Sequence, residues 1–110
     1  MSANEILKTA LSPIAPTEAD TYEGNEDEYI TFGYNSIPGD FGDDDAAAER
    51  LLVHVHFYAP TGRNVLEKRR AIKAALVAAG ATFPSYENIS DRDGQHHIFE
   101  CELLVGAGAE

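Results

Sequence analysis

The segment Glu49-Arg50-Leu51-Leu52-Val53-His54-Val55-His56-Phe57-Tyr58-Ala59 decides the fold. Leu51, Val53, Val55 and Phe57 fall on one phase, and Leu52, His54, His56 and Tyr58 on the other. That two-residue period is the mark of a strand with one face in a core. An aliphatic face so continuous predicts the central strand of a sheet.

Working outward, Pro60 stops this strand and Thr61 is placed to cap a helix over residues 62–79. The helix core stripe is Val65, Ile72, Leu76 and Ala79, and Gly80 ends it. Beyond it, Phe83 to Ile89 and His96 to Val105 read as a hairpin turning through Ser90 to Gly94. Before the central strand, Ile30, Phe32 and Tyr34 alternate with Tyr29 and Thr31 as an earlier strand. Between the two strands lies a polar segment containing Pro38, Gly39, Gly42 and Asp43-Asp44-Asp45, predicting a mobile acidic loop over about residues 35–48. Ser2 and Glu5 have the spacing of a capping box opening a helix over about residues 3–12, which Pro13 and Pro16 end. Thr17 to Glu28, with six acidic residues, reads as a solvated loop or a frayed strand edge. Gly106 to Glu110 reads as a disordered tail.

The order α-β-β-α-β-β predicts an α+β fold: an antiparallel, mostly four-stranded sheet with the long helix and the short N-terminal helix on one face. With 110 residues, one domain spanning 1–110 is expected. No glycine-rich phosphate loop follows any strand. No run of eighteen apolar residues and no secretory leader pattern is present, so a non-membrane protein is expected. Cys101 is the single cysteine, which excludes an internal disulfide and suits a reducing compartment.

The formal net charge of −11 disfavours a freestanding nucleic-acid or anionic-membrane binder. All of that excess lies in residues 1–49, which hold twelve acids and one base; residues 50–110 hold seven of each. Arg63, Lys68, Arg69, Arg70 and Lys73 cluster on or near the long helix. Beside the helix core stripe runs a second one, Leu66, Arg70, Lys73 and Val77, mixing aliphatic and basic groups. With the acidic loop, it is the candidate subunit interface: Leu66, Arg70, Lys73 and Val77 on one copy, Asp43, Asp44 and Asp45 on the next, or alternatively the Thr17–Glu28 segment of the next. The aspartate run lacks the spaced ligands of a dedicated calcium loop, and a solubilising turn explains it equally well.

His54 and His56 share a strand face about 7 Å apart along the chain, so they could supply two metal ligands. Ordinary cross-strand pairing with Glu100 and Glu102 accounts for them more simply. His97 and Cys101 share the opposite phase of the last strand, but four residues span about 13 Å, too far for proton transfer. A buried thiol beside a satisfied imidazole is the expectation there.

The N-terminal helix, the strand Glu28-Tyr29-Ile30-Thr31-Phe32-Gly33-Tyr34, the Asp-rich loop before Glu49 to Tyr58 with its His-x-His, and the helix ending Leu76-Val77-Ala78-Ala79-Gly80-Ala81-Thr82-Phe83 resemble the tail terminator (tail completion) proteins of long-tailed bacteriophages of the siphophage type. The resemblance covers about residues 3–105 and rests on element order, length and diffuse local similarity. It implies a non-enzymatic structural protein that forms a hexameric ring, caps the tail tube, ends tail polymerisation and offers a surface for head attachment. The implied partners are further copies of the chain, the major tail tube protein and a head-tail connector protein, with DNA only in transit through the channel and no membrane. The implied location is the head-proximal end of the virion tail, with the host cytoplasm during assembly. No catalytic, cofactor-binding or metal-binding residue is implied, and a divalent cation is at most an assembly promoter. The alternatives are another head-tail connector or adaptor ring protein, or a small metal-binding enzyme domain using His54 and His56.

Overall fold

The computed structural model describes residues 2–37 and 48–106. The chain runs α1 (Ala3–Leu11), β1 (Thr17–Ala19), β2 (Tyr29–Ser36), β3 (Ala48–Ala59), α2 (Leu66–Ala78), β4 (Ser85–Asn88) and β5 (Gln95–Gly106). These strands form one five-stranded sheet in the order β1-β2-β3-β5-β4, with β3 central. The α+β class stands, but the sheet has an added strand and is mixed. β1 pairs parallel to β2, Thr17 opposite Ile30, while every other neighbour is antiparallel.

Of the two readings of Thr17–Glu28, a solvated loop or a frayed strand edge, the strand edge holds for Thr17–Ala19. Thr17 is buried, and its hydroxyl donates to the Ala15 carbonyl at 2.8 Å. Asp20 takes a left-handed backbone (φ 66°), and its N–H still reaches the Phe32 carbonyl at 2.8 Å. A short-chain polar residue tolerates that conformation, so the strand breaks there and the acidic residues turn outward.

On β3 the expected phases hold. Val53, Val55 and Phe57 are fully buried, and Phe99, Leu103 and Val105 of β5 join them from the adjacent strand. Leu7 and Leu11 of α1 and Ile72 and Leu76 of α2 close the same core. The capping box is present: Ser2 Oγ accepts from Glu5 N–H at 3.1 Å, and Glu5 accepts from Ser2 N–H at 2.9 Å. Tyr34 donates to Asn4 Oδ1 at 2.6 Å, tying β2 to α1.

α2 begins at Leu66, not at residue 62, and Thr61 does not cap it. Pro60 to Arg63 form a turn closed by an Arg63 N–H to Pro60 carbonyl bond of 3.3 Å, with Gly62 at φ 83°. The positive φ at the third turn position takes these residues out of the helix. Asn64 Oδ1 then accepts from Leu66 N–H at 3.1 Å. The other end follows the glycine rule: Gly80 sits at φ 102°, Ala81 N–H reaches the Leu76 carbonyl at 3.0 Å, and Gly80 N–H reaches the Val77 carbonyl at 3.0 Å. These two bonds satisfy carbonyls that the helix end leaves open.

The final hairpin is shorter on its first arm than residues 83–89 would make it. Pro84 separates Phe83 from β4, and Phe83 stands 74% exposed. The turn is made through Asp91 and Gly94, with Asp91 Oδ1 accepting from Asp93 N–H at 2.8 Å. Of the loop expected over residues 35–48, Asn35 and Ser36 belong to β2 and Ala48 opens β3. Its centre, with Asp43, Asp44 and Asp45, lies outside the described residues, as does the tail beyond Gly106.

Candidate functional site

Two surfaces carry chemistry that the core does not explain. The first is the outer side of α2. Leu66 and Val77 are 41% and 45% exposed, and Arg70 is also exposed. Lys73 lies between them and the C-terminal arm, its Nζ 5.6 Å from the Phe83 ring centre and 5.4 Å from that of Tyr86. Arg70, Lys73, Ala74, Val77, Ala78 and Phe83 line a shallow apolar groove. The stripe Leu66, Arg70, Lys73 and Val77 therefore faces solvent, and Phe83 extends it. Sequence reading missed Phe83 by assigning it to a strand; the Phe83-Pro84 dipeptide was the available signal, since proline restricts its predecessor and cannot donate to a ladder.

The bases of α2 differ in their engagement. Arg69 lies over the Tyr86 ring at 4.3 Å. Arg63 pairs with Asp27 at 3.2 Å and Glu28 at 3.0 Å, and Lys68 also bonds Glu28. The Lys68 hydrogen bond, aided by Arg63, holds the Glu28 carboxyl below its ordinary range despite the opposing effect of burial. Arg70 and Lys73 form no ion pair among the described residues. The end of the acidic segment thus closes on Arg63 and Lys68 of its own chain, with Glu28 largely covered and Asp27 still 64% exposed. Glu18 pairs with Lys8 at 3.5 Å, leaving Asp20, Glu23 and Glu26 as the segment's carboxylates without an ion pair among the described residues.

The second surface is the sheet face opposite the helices. Tyr29, Tyr58 and His96 stack across β2, β3 and β5, with ring centres 4.7 and 4.4 Å apart, and Tyr22 extends the stack at 4.4 Å from Tyr29. A row of imidazoles leaves this stack. His96 Nε2 is 2.8 Å from His56 Nδ1, and His56 Nε2 is 3.2 Å from His54 Nδ1. Burial first, then the neighbouring His96 and His54, lowers the His56 pKa; burial likewise lowers that of His96. His54 lies opposite Glu100 and Leu52 opposite Glu102 in the register, but Glu102 pairs with Arg50 at 3.2 Å. The expected His-to-Glu pairing is therefore replaced by His-to-His contacts. Alternation put His96 on this face, but only the register shows that it reaches His56 diagonally from its place opposite Tyr58.

Gly33 matters here because a Cβ at that position would lie 2.7 Å from His54 Cε1. The glycine lets the His54 ring lie against the β2 backbone. Among the described residues no three His, Cys, Asp or Glu side chains converge as a metal-binding group.

On the covered face, His97 is buried with both ring nitrogens engaged. Gln95 Nε2 donates to the Pro60 and Arg63 carbonyls, each at 2.8 Å, which orients its oxygen toward His97 Nε2–H at 2.8 Å. Nδ1 then accepts from the Tyr86 hydroxyl at 2.7 Å. Burial, followed by the Arg69 charge, lowers the His97 pKa. Cys101 is buried and its thiol is pushed up to about 11 by that burial, so little thiolate forms near neutrality. No protein-family model and no curated protein matches this chain.

Proposed function

We infer that the chain is a ring-forming structural subunit of a long-tailed phage, acting as the tail terminator that caps the tube and presents a surface to the head connector. The observation that carries this reading is the solvent-facing patch of Leu66, Arg70, Val77 and Phe83 on a strongly acidic chain. Apolar groups grouped beside bases that form no ion pair among the described residues suit a surface that another copy covers. The acidic residues concentrated before Arg50 suit a subunit whose basic helix meets its neighbour's acidic region. Repeated head to tail, such a contact closes into a ring, with six copies the number implied by the resemblance. The subunit performs no catalysis in this reading and needs no cofactor. Its partners are its own copies, the tube protein and the connector.

The test is light scattering across protein concentration, with and without Mg²⁺, followed by negative-stain imaging and mixing with tail tubes. Six-fold rings that bind tube ends are the expected result. A chain that stays monomeric at every concentration and leaves tube growth unaffected overturns the reading.

A further inference from the structure

The imidazole row on the sheet face opposite the helices brings two ring nitrogens within the separation that one metal ion can span. The geometry points to His54 Nδ1 and His56 Nε2 as a two-imidazole site for a divalent transition metal of the zinc class, with His96 orienting His56.

The two nitrogens stand 3.2 Å apart. Two imidazoles bound to one tetrahedral zinc at ordinary bond lengths place their nitrogens about 3.4 Å apart. To admit the ion the contact opens slightly and the proton that His54 Nδ1 holds in this hydrogen bond leaves it, His54 taking the tautomer protonated at Nε2 so that Nδ1 is free to bind. His56 cannot turn both nitrogens toward one ion, so its two contacts have different roles. The longer one opens to the metal, and the shorter one, 2.8 Å from Nδ1 to His96 Nε2, remains. In that arrangement His56 Nδ1–H donates to His96, leaving Nε2 unprotonated and able to bind the ion. A ligating imidazole commonly has its other N–H held in this way.

The supports are rigid. Both ligands lie on β3, which is paired along both edges, and Gly33 leaves the His54 ring space against β2. His96 is itself held by stacking on Tyr58 at 4.4 Å. No third protein ligand converges on the pair among the described residues; Glu100, opposite His54 in the register, and Asp20, whose carboxylate lies beside Gly33 as the His54 ring does, are the carboxylates placed to swing toward it. Water completes the coordination. Imidazole donors favour zinc, copper or nickel over magnesium and calcium, which take oxygen ligands.

The experiment uses the untagged full chain, freed of metal and titrated with Zn²⁺ by calorimetry and with Co²⁺ by visible absorption. One equivalent should bind. His54→Ala and His56→Ala should each weaken binding at least about 100-fold, and His96→Ala about 10- to 100-fold, the range for removing an orienting partner. His96→Gln should recover part of the loss, because its amide oxygen can accept from His56 Nδ1–H. Circular dichroism on each variant checks that the sheet persists. Absence of Zn²⁺ binding to the unaltered chain at millimolar ion overturns the proposal, as does binding that survives the His54→Ala, His56→Ala double substitution. A His96→Ala variant with unchanged affinity overturns the orienting role.

Discussion

The two faces of one sheet solve the burial problem in different ways. Under the helices, Phe32, Val53, Val55, Phe57 and Phe99 are shut away from water and packed on aliphatic groups of α1 and α2. On the other face no helix of the described residues lies over the same strands, and rings lie on one another instead: tyrosines 29 and 58 stack with His96, and three imidazoles touch through their nitrogens. The first arrangement derives its stability from removing apolar area from water. The second derives it from ring contacts that remain half exposed, each of about 0.5–1.5 kcal/mol for an aromatic pair. Backbone pairing is common to both, so the difference between the faces is one of side-chain environment alone. Rings whose faces are occupied by other rings also give nucleobases little to stack on, in keeping with the acidic composition.

Breaking the covered face should have the largest effect. Phe99→Ala should cost about 3–5 kcal/mol, the range for emptying a buried aromatic position, measured as a shift in the urea midpoint. Tyr58→Ala, the corresponding test of the open face, should cost about 1–2 kcal/mol, because it removes stacking from a half-exposed site. Equal losses at the two positions would erase the distinction drawn between the faces.

Acid should sharpen the contrast further. His97 is neutral and doubly hydrogen-bonded in the fold, with its pKa lowered from the ordinary value of 6.5. Below about pH 6.5 the unfolded chain takes up this proton more readily than the folded one, so stability present above that pH is lost as the pH falls through it. His56 and His96 are shifted the same way and should add to the slope. Urea titrations between pH 8 and pH 5 measure the slope, and His97→Gln should reduce it. A stability that rises on acidification through this window would contradict the assignment of a neutral His97.

Gly80→Ala should cost about 1 kcal/mol, since its positive φ is unfavourable for any residue carrying a Cβ. Smallest for the monomer, Arg70→Glu with Lys73→Glu should cost about 0.5–1 kcal/mol, chiefly the loss of the Lys73 contacts with the Phe83 and Tyr86 rings. The same pair should markedly weaken self-association in light scattering. Assembly that persists unchanged would remove the outer side of α2 from the interface.

Periodicity made the central layer legible. β3 alternates without a break, so the residues of its two faces follow from the pattern alone, and Ser2 with Glu5 and the glycine at position 80 marked helix ends by their chemistry. The three-residue β1 was legible only as one of two alternatives, a strand edge or a solvated loop, because so short an element has no measurable period, and its parallel pairing was not legible at all. Thr61 misled because Gly62, one residue on, takes a conformation incompatible with a helix. The candidate stripe on α2 was readable at helical spacing, whereas Phe83 joined it through the path of the chain after Gly80. His54 and His56 were visible as a pair. Their contact with His96 depends on pairing between strands forty residues apart, which no local pattern encodes.

The outermost strands of the sheet, β1 and β4, have only three and four residues. Open strand edges invite copies of a chain to pair by extending one sheet into the next, a route to fibres without a defined end. The short outer strands also cover only part of their neighbours, so β2 from Gly33 to Ser36 and β5 from Leu103 to Gly106 run past them. Sheet extension from one copy to another would therefore have to begin at short, separated runs of backbone, on β1 and β4 or on these two overhangs, rather than along one continuous edge.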